Sequence, residues 1–135
     1  MRQTTPKDFL EFKQRCEYYI EYLGLKNWCL TYEHGNVGNL IKISESDQAN
    51  CLTDSESRIV TLGLGEEVED ESTIDYLSIH EVFELLLAEY DSLARSRYAT
   101  EKELEKARHS VITVLENTFH KDFLRTRCKK YFKKK

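Results

Sequence analysis

No run in this chain approaches the ~20 consecutive apolar residues that a membrane-spanning helix needs. The opening stretch, Met1-Arg2-Gln3-Thr4-Thr5-Pro6, has no apolar core behind its charge, so no secretory signal is expected there. Cysteine is sparse and scattered: Cys16, Cys29, Cys51 and Cys128 stand far apart, with no CxxC pair among them. That spacing argues against both a disulfide scaffold and a Cys-based zinc site, and implies reduced thiols in a cytoplasmic protein. Repeats and internal low-complexity segments are missing too. What remains is ordinary: 135 residues, 40% hydrophobic and 33% charged, enough for one domain. Such a domain buries about two-thirds of its unfolded surface.

Charge is unevenly distributed along the chain. The formal total is -4, yet residues 121–135 hold eight Lys or Arg against Asp122 alone, so that segment is +7 and the remainder -11. The expected division is a domain over 1–120 and a flexible basic tail over 121–135. An acidic body without a basic stripe argues against nucleic-acid recognition other than through the tail.

Local signals place the elements. Thr5-Pro6-Lys7-Asp8 is a helix start, with a capping hydroxyl, proline at the first helical position and an acid at the positive end of the dipole. Phe9, Phe12, Cys16, Tyr19, Ile20 and Leu23 follow at helical spacing, and Gly24 stops the helix. Strands are expected at Trp28 to Tyr32, Leu40 to Ile43, Asp47 to Thr53 and Arg58 to Leu64, in a meander with mainly antiparallel pairing. Gly65 to Glu71 reads as an acidic loop. Ser72-Thr73-Ile74-Asp75 opens a helix over about 73–95, and Thr100-Glu101-Lys102-Glu103 opens another to about Phe119. That last helix carries a core stripe of Leu104, Ala107, Val111, Val114, Leu115 and Thr118. The expected class is α+β: an N-terminal helix on a small sheet of three or four strands, then two helices.

Chemistry concentrates in His80-Glu81-Val82-Phe83-Glu84. At about 100° per residue, His80 and Glu84 lie about 40° apart on one helical face. Leu77, Phe83 and Leu87 flank that face, so both groups are expected to project from an apolar stripe, where an unpaired charge is costly. A zinc ion removes the cost, since imidazole and carboxylate are both zinc ligands. Glu81 occupies the position of the general base in an HExxH peptidase motif. Glu84 stands where that motif has its second His, so a further His must complete the set. His34, His109 and His120 are the candidates. His109 is best placed because a helical hairpin brings its helix alongside, although it lies almost opposite its own apolar stripe. Glu116 is a further candidate for the shell. The plainer reading is that His80 and Glu84 bond only to each other and to the neighbouring helix.

The run Ile79-His80-Glu81-Val82-Phe83-Glu84-Leu85-Leu86-Leu87 resembles the active-site helix of a zincin-like metallopeptidase family encoded in phage and prophage genomes. Asn27-Trp28, the strand Ile59-Val60-Thr61-Leu62, and His109 with Val114-Leu115-Glu116-Asn117 extend the resemblance over most of residues 8–119. It implies a zincin core with zinc held by His80, Glu84 and His109, and Glu81 as the catalytic general base. In zincins the substrate commonly adds as an edge strand, which nominates Arg58 to Leu64. Two functions follow as expectations: a zinc peptidase acting on a peptide or protein, or a non-catalytic protein of the same fold that binds a bacterial host protein. Neither involves a membrane. Tyr90 and Tyr98 are minor candidates for oxyanion stabilisation. A di-iron carboxylate bundle is excluded, because it draws ligands from four helices and three are evident.

Overall fold

The computed structural model describes residues 1–35 and 48–126. The expected strand Leu40 to Ile43 and Cys128 lie outside them. Helix α1 runs Pro6–Leu23. Its start is a complete capping box: the Thr5 hydroxyl accepts from the Asp8 N–H at 3.1 Å, and the Asp8 carboxylate accepts from the Thr5 N–H at 2.8 Å. Gly24 ends it in the left-handed region (φ 72°), with Leu25 N–H donating back to Ile20 C=O at 2.9 Å. Phe12, Cys16, Ile20 and Leu23 form its buried face.

Five strands follow or precede it: β1 (Arg2–Gln3), β2 (Cys29–His34), β3 (Ala49–Asp54), β4 (Ile59–Leu64) and β5 (Glu67–Val68). Two of the three pairings are antiparallel, β1 with β5 and β3 with β4, while β2 runs parallel to β4. The order β2-β4-β3 differs from a simple meander. Strand β4 takes the centre, where Val60, Leu62 and Leu64 are fully buried. Its apolar, β-branched composition suits a position paired on both sides. The β3–β4 hairpin is local in origin, since the Asp54 carboxylate accepts from the Glu56 and Ser57 N–H groups at 3.1 Å each. Because β4 is central, Arg58 to Leu64 has no free edge for a substrate strand. Among the described residues the edges of this sheet are β2 and β3.

The short β1–β5 ladder ties the N-terminus to the stretch read as an acidic loop, and Val68, paired with Arg2 in it, is fully buried. Where Gly35 closes β2 its φ is 69°, and a Cβ there would come within 2.6 Å of the Glu66 side chain. Helix α2 spans Ile74–Arg95 and α3 spans Glu101–Thr126. Thr73 caps α2, accepting from the Tyr76 N–H at 3.2 Å. At α3, Thr100 and Glu103 form the expected reciprocal box, with bonds of 2.8 and 3.2 Å. Among the described side chains of α3, Leu104, Ala107, Val111, Val114, Leu115 and Thr118 are those withdrawn from solvent, as its stripe indicated. The helix continues beyond Phe119, through the first six residues of the basic segment, and the Tyr22 hydroxyl meets the Asp122 carboxylate. The class is α+β, with three helices and two small, mostly antiparallel sheets.

Candidate functional site

Helix α2 carries the motif, and its packed face decides the chemistry. That face is Ile74, Leu77, Ser78, Glu81, Val82, Leu85 and Ala88, set against α1 and the inner side of the β2-β4-β3 sheet. Ser78 is fully buried where α1 and α2 cross; its hydroxyl donates to Ile74 C=O at 2.7 Å, and the Cys16 thiol donates to Ser78 C=O at 3.9 Å. Small side chains at this crossing let the helices approach closely. Tyr19 secures the start of α2 by donating to the Asp75 carboxylate at 2.5 Å, with Arg15 on the same oxygen at 3.3 Å.

Glu81 therefore points into the protein, at 5% exposure. Cys16 and Cys51 lie near enough for its charge to act on them. Burial first, and Glu81 among the lesser causes, push both thiols up to about 12. His80 and Glu84 face the other way, with side chains 56% and 61% exposed and His80 Nε2 3.7 Å from Glu84 Oε1. The sequence correctly put these two on one face. The buried face of the helix, however, is centred about 100° from their sector, and Phe83 (45%) and Leu87 (48%) share their exposure. The desolvation cost that made a metal ion attractive does not arise at this face.

The remaining candidates are elsewhere. His109 on α3 is 64% exposed, approaches Glu105 at 3.8 Å, and lines a cleft that contains neither His80 nor Glu84. Glu84 instead lines a groove between α2 and β3. His34 is structural. Its ring stacks on Phe9 (centroids 5.0 Å apart), and its Nε2 lies 2.8 Å from Thr4 Oγ1. The Thr4 hydroxyl donates to Gly65 C=O at 2.6 Å, so His34 Nε2 is the donor in their bond. Glu116 and His120 are exposed on α3. Among the described residues no three His, Cys, Asp or Glu side chains gather as a metal-holding group. The residues as arranged do not fit a three-ligand zinc centre.

Two features went unread in the sequence. The first is an exposed row along α2: Tyr76, His80, Phe83, Leu87 and Tyr90, at spacings of four, three, four and three residues. That spacing is a coiled-coil seam and was visible as such. The row borders the groove of about 690 Å³ against β3, whose charged lining is Asp54, Glu56, Glu84 and Asp91 against Arg95. The second is the cleft of about 470 Å³ holding Trp28, Arg58 and His109. No helix among the described residues is long and apolar enough to cross a membrane. Comparison with protein-family models, with curated proteins and with solved structures found no match.

Proposed function

We propose that this chain is a non-catalytic, zincin-like binding protein that holds a protein partner on the exposed row of α2 and the adjoining β3 edge. One observation carries this reading: Tyr76 (64%), Phe83 (45%), Leu87 (48%) and Tyr90 (39%) stand exposed in a single helical row. Large apolar side chains so arranged on a surface mark a protein contact. The acidic groove beside them favours a partner segment that mixes basic and apolar residues. It disfavours a second copy of α2, which would set like charges together. If the phage resemblance holds, the partner is a bacterial cytoplasmic protein. The inward Glu81 has a structural part in this reading, packed between α1 and the sheet.

A photo-crosslinking side chain at position 87, in the full chain expressed in bacterial cytoplasm, tests it. The expected result is a discrete adduct to a basic segment, lost with Phe83→Glu and retained with Glu81→Gln. No adduct, or equal labelling from position 98, where Tyr98 is 87% exposed, overturns the reading. A second reading, zinc-dependent peptidase activity, is favoured by the His80–Glu84 spacing of 3.7 Å. It needs a further ligand and an outward Glu81.

A further inference from the structure

The cleft between the α1–β2 connection, the start of β4, α2 and α3 is chemically unlike the rest of the acidic body. Its charged lining is Arg58 and Lys106 against Glu89 alone, with the His109 imidazole beside them. The groove beside β3 and the small pocket of Glu101, Glu105 and Arg108 each carry more acid than base. This cleft thus carries a net basic lining on a domain whose first 120 residues total -11.

The cleft also contains the chain's single tryptophan. The Arg58 guanidinium sits 5.2 Å from the Trp28 ring centroid and 3.6 Å from the Glu89 carboxylate. The second distance is long for a charge-assisted hydrogen bond, so Arg58 is held loosely. Its backbone is in the left-handed region at φ 55°, which is uncommon for a side chain other than Gly, Asn or Asp. Such a position closes a hairpin most easily with glycine. Arginine there places a guanidinium at the mouth of the cleft, against the ring. Leu85, Leu86 and Val114 provide an apolar floor, while Asn27, Ser110 and Thr113 add hydrogen-bonding groups. The volume, about 470 Å³, lies within the range of small-ligand sites.

We propose that this cleft binds a small organic phosphate bearing a planar ring, of the nucleoside monophosphate class. Trp28 and the apolar floor receive the ring, Asn27, Ser110 and Thr113 face the sugar, and Lys106 and His109 face the phosphate. Arg58 exchanges the Glu89 carboxylate for a phosphate oxygen. The site is independent of the α2 row and of the function proposed for it.

Trp28 fluorescence reads the site directly in the full chain. Titration with adenosine 5′-monophosphate should give a saturable change, with adenosine alone and inorganic phosphate alone each weaker. Lys106→Gln, on the exposed side of α3, should weaken binding of the monophosphate about tenfold, the loss of one charge-assisted contact. Glu89→Gln should strengthen it by freeing Arg58. Absence of saturation up to about 10 mM overturns the proposal. So does equal affinity for inorganic phosphate, or affinity that ignores Lys106→Gln.

Discussion

His80 and Glu81 are adjacent in sequence yet occupy opposite environments: the imidazole faces solvent at 56% exposure, and the carboxylate is enclosed at 5%. About 100° of helical rotation separates them, enough to put one outside and one within the core of a helix packed on a single side. Truncation should feel the difference. Glu81→Ala and Leu85→Ala should each cost about 2–4 kcal/mol, from the cavity and the polar partner left behind. His80→Ala and Leu87→Ser should fall within about 0.5 kcal/mol of the parent. Urea denaturation of the four variants measures this, and a cost at His80 equal to that at Glu81 would contradict the assigned faces.

Thiol reactivity should separate the cysteines. Cys16 and Cys51 are pushed up to about 12 by burial, so almost no thiolate exists at neutral pH, while Cys29 is exposed. Maleimide labelling of the native chain, followed by peptide mapping, should modify Cys29 at least about tenfold faster than Cys16 or Cys51. Comparable rates would mean that the α1–sheet interface opens readily.

The Tyr32 hydroxyl is buried and has no hydrogen-bond partner among the described residues. Burial, ahead of neighbouring Cys16 and Glu17, raises its ionisation above the usual tyrosine range. Removing an unsatisfied buried hydroxyl relieves its desolvation cost, so Tyr32→Phe should be neutral or stabilising by about 1 kcal/mol. A loss of more than that on chemical denaturation would reveal a partner for the hydroxyl.

Acid should weaken the caps and the hairpin turn. The Thr5 hydroxyl and N–H hold Asp8 below the ordinary carboxylate range, the Ser57 N–H and hydroxyl do the same for Asp54, and the Thr100 N–H and hydroxyl for Glu103. Each folded value is depressed, so the stability these groups add is present above about pH 4 and is lost as pH falls through the folded values. Urea midpoints at about pH 6 and pH 3 should therefore differ less in Asp8→Asn/Glu103→Gln than in the parent. Parallel losses would assign the acid sensitivity elsewhere.

Legibility followed locality. Helix α1 was readable from Thr5 to Gly24 because capping hydroxyl, proline, periodic apolar face and left-handed glycine are all local signals. The α3 stripe was readable because polar residues surround it. Strand order was not, since pairing β2 with β4 depends on contacts between segments far apart in sequence. The packed face of α2 was obscured by apolar residues distributed almost all round it: Leu77, Val82, Leu85 and Ala88 inside, and Phe83, Leu87 and Tyr90 outside. Glu81, polar yet buried, broke the rule by which such a helix is oriented. The His80–Glu84 pairing needed only the helical repeat and was found; the place of His109 needed the hairpin's rotation and was not.

The most direct test of a binding face over a zinc centre is metal content. Purified full-length chain, incubated with excess zinc at neutral pH and freed of unbound metal, is analysed for zinc beside His80→Ala and His109→Ala. The expected result is much less than one zinc per chain, with both variants equal to the parent. One zinc per chain, lost in His80→Ala and in His109→Ala, would contradict it and restore the peptidase reading.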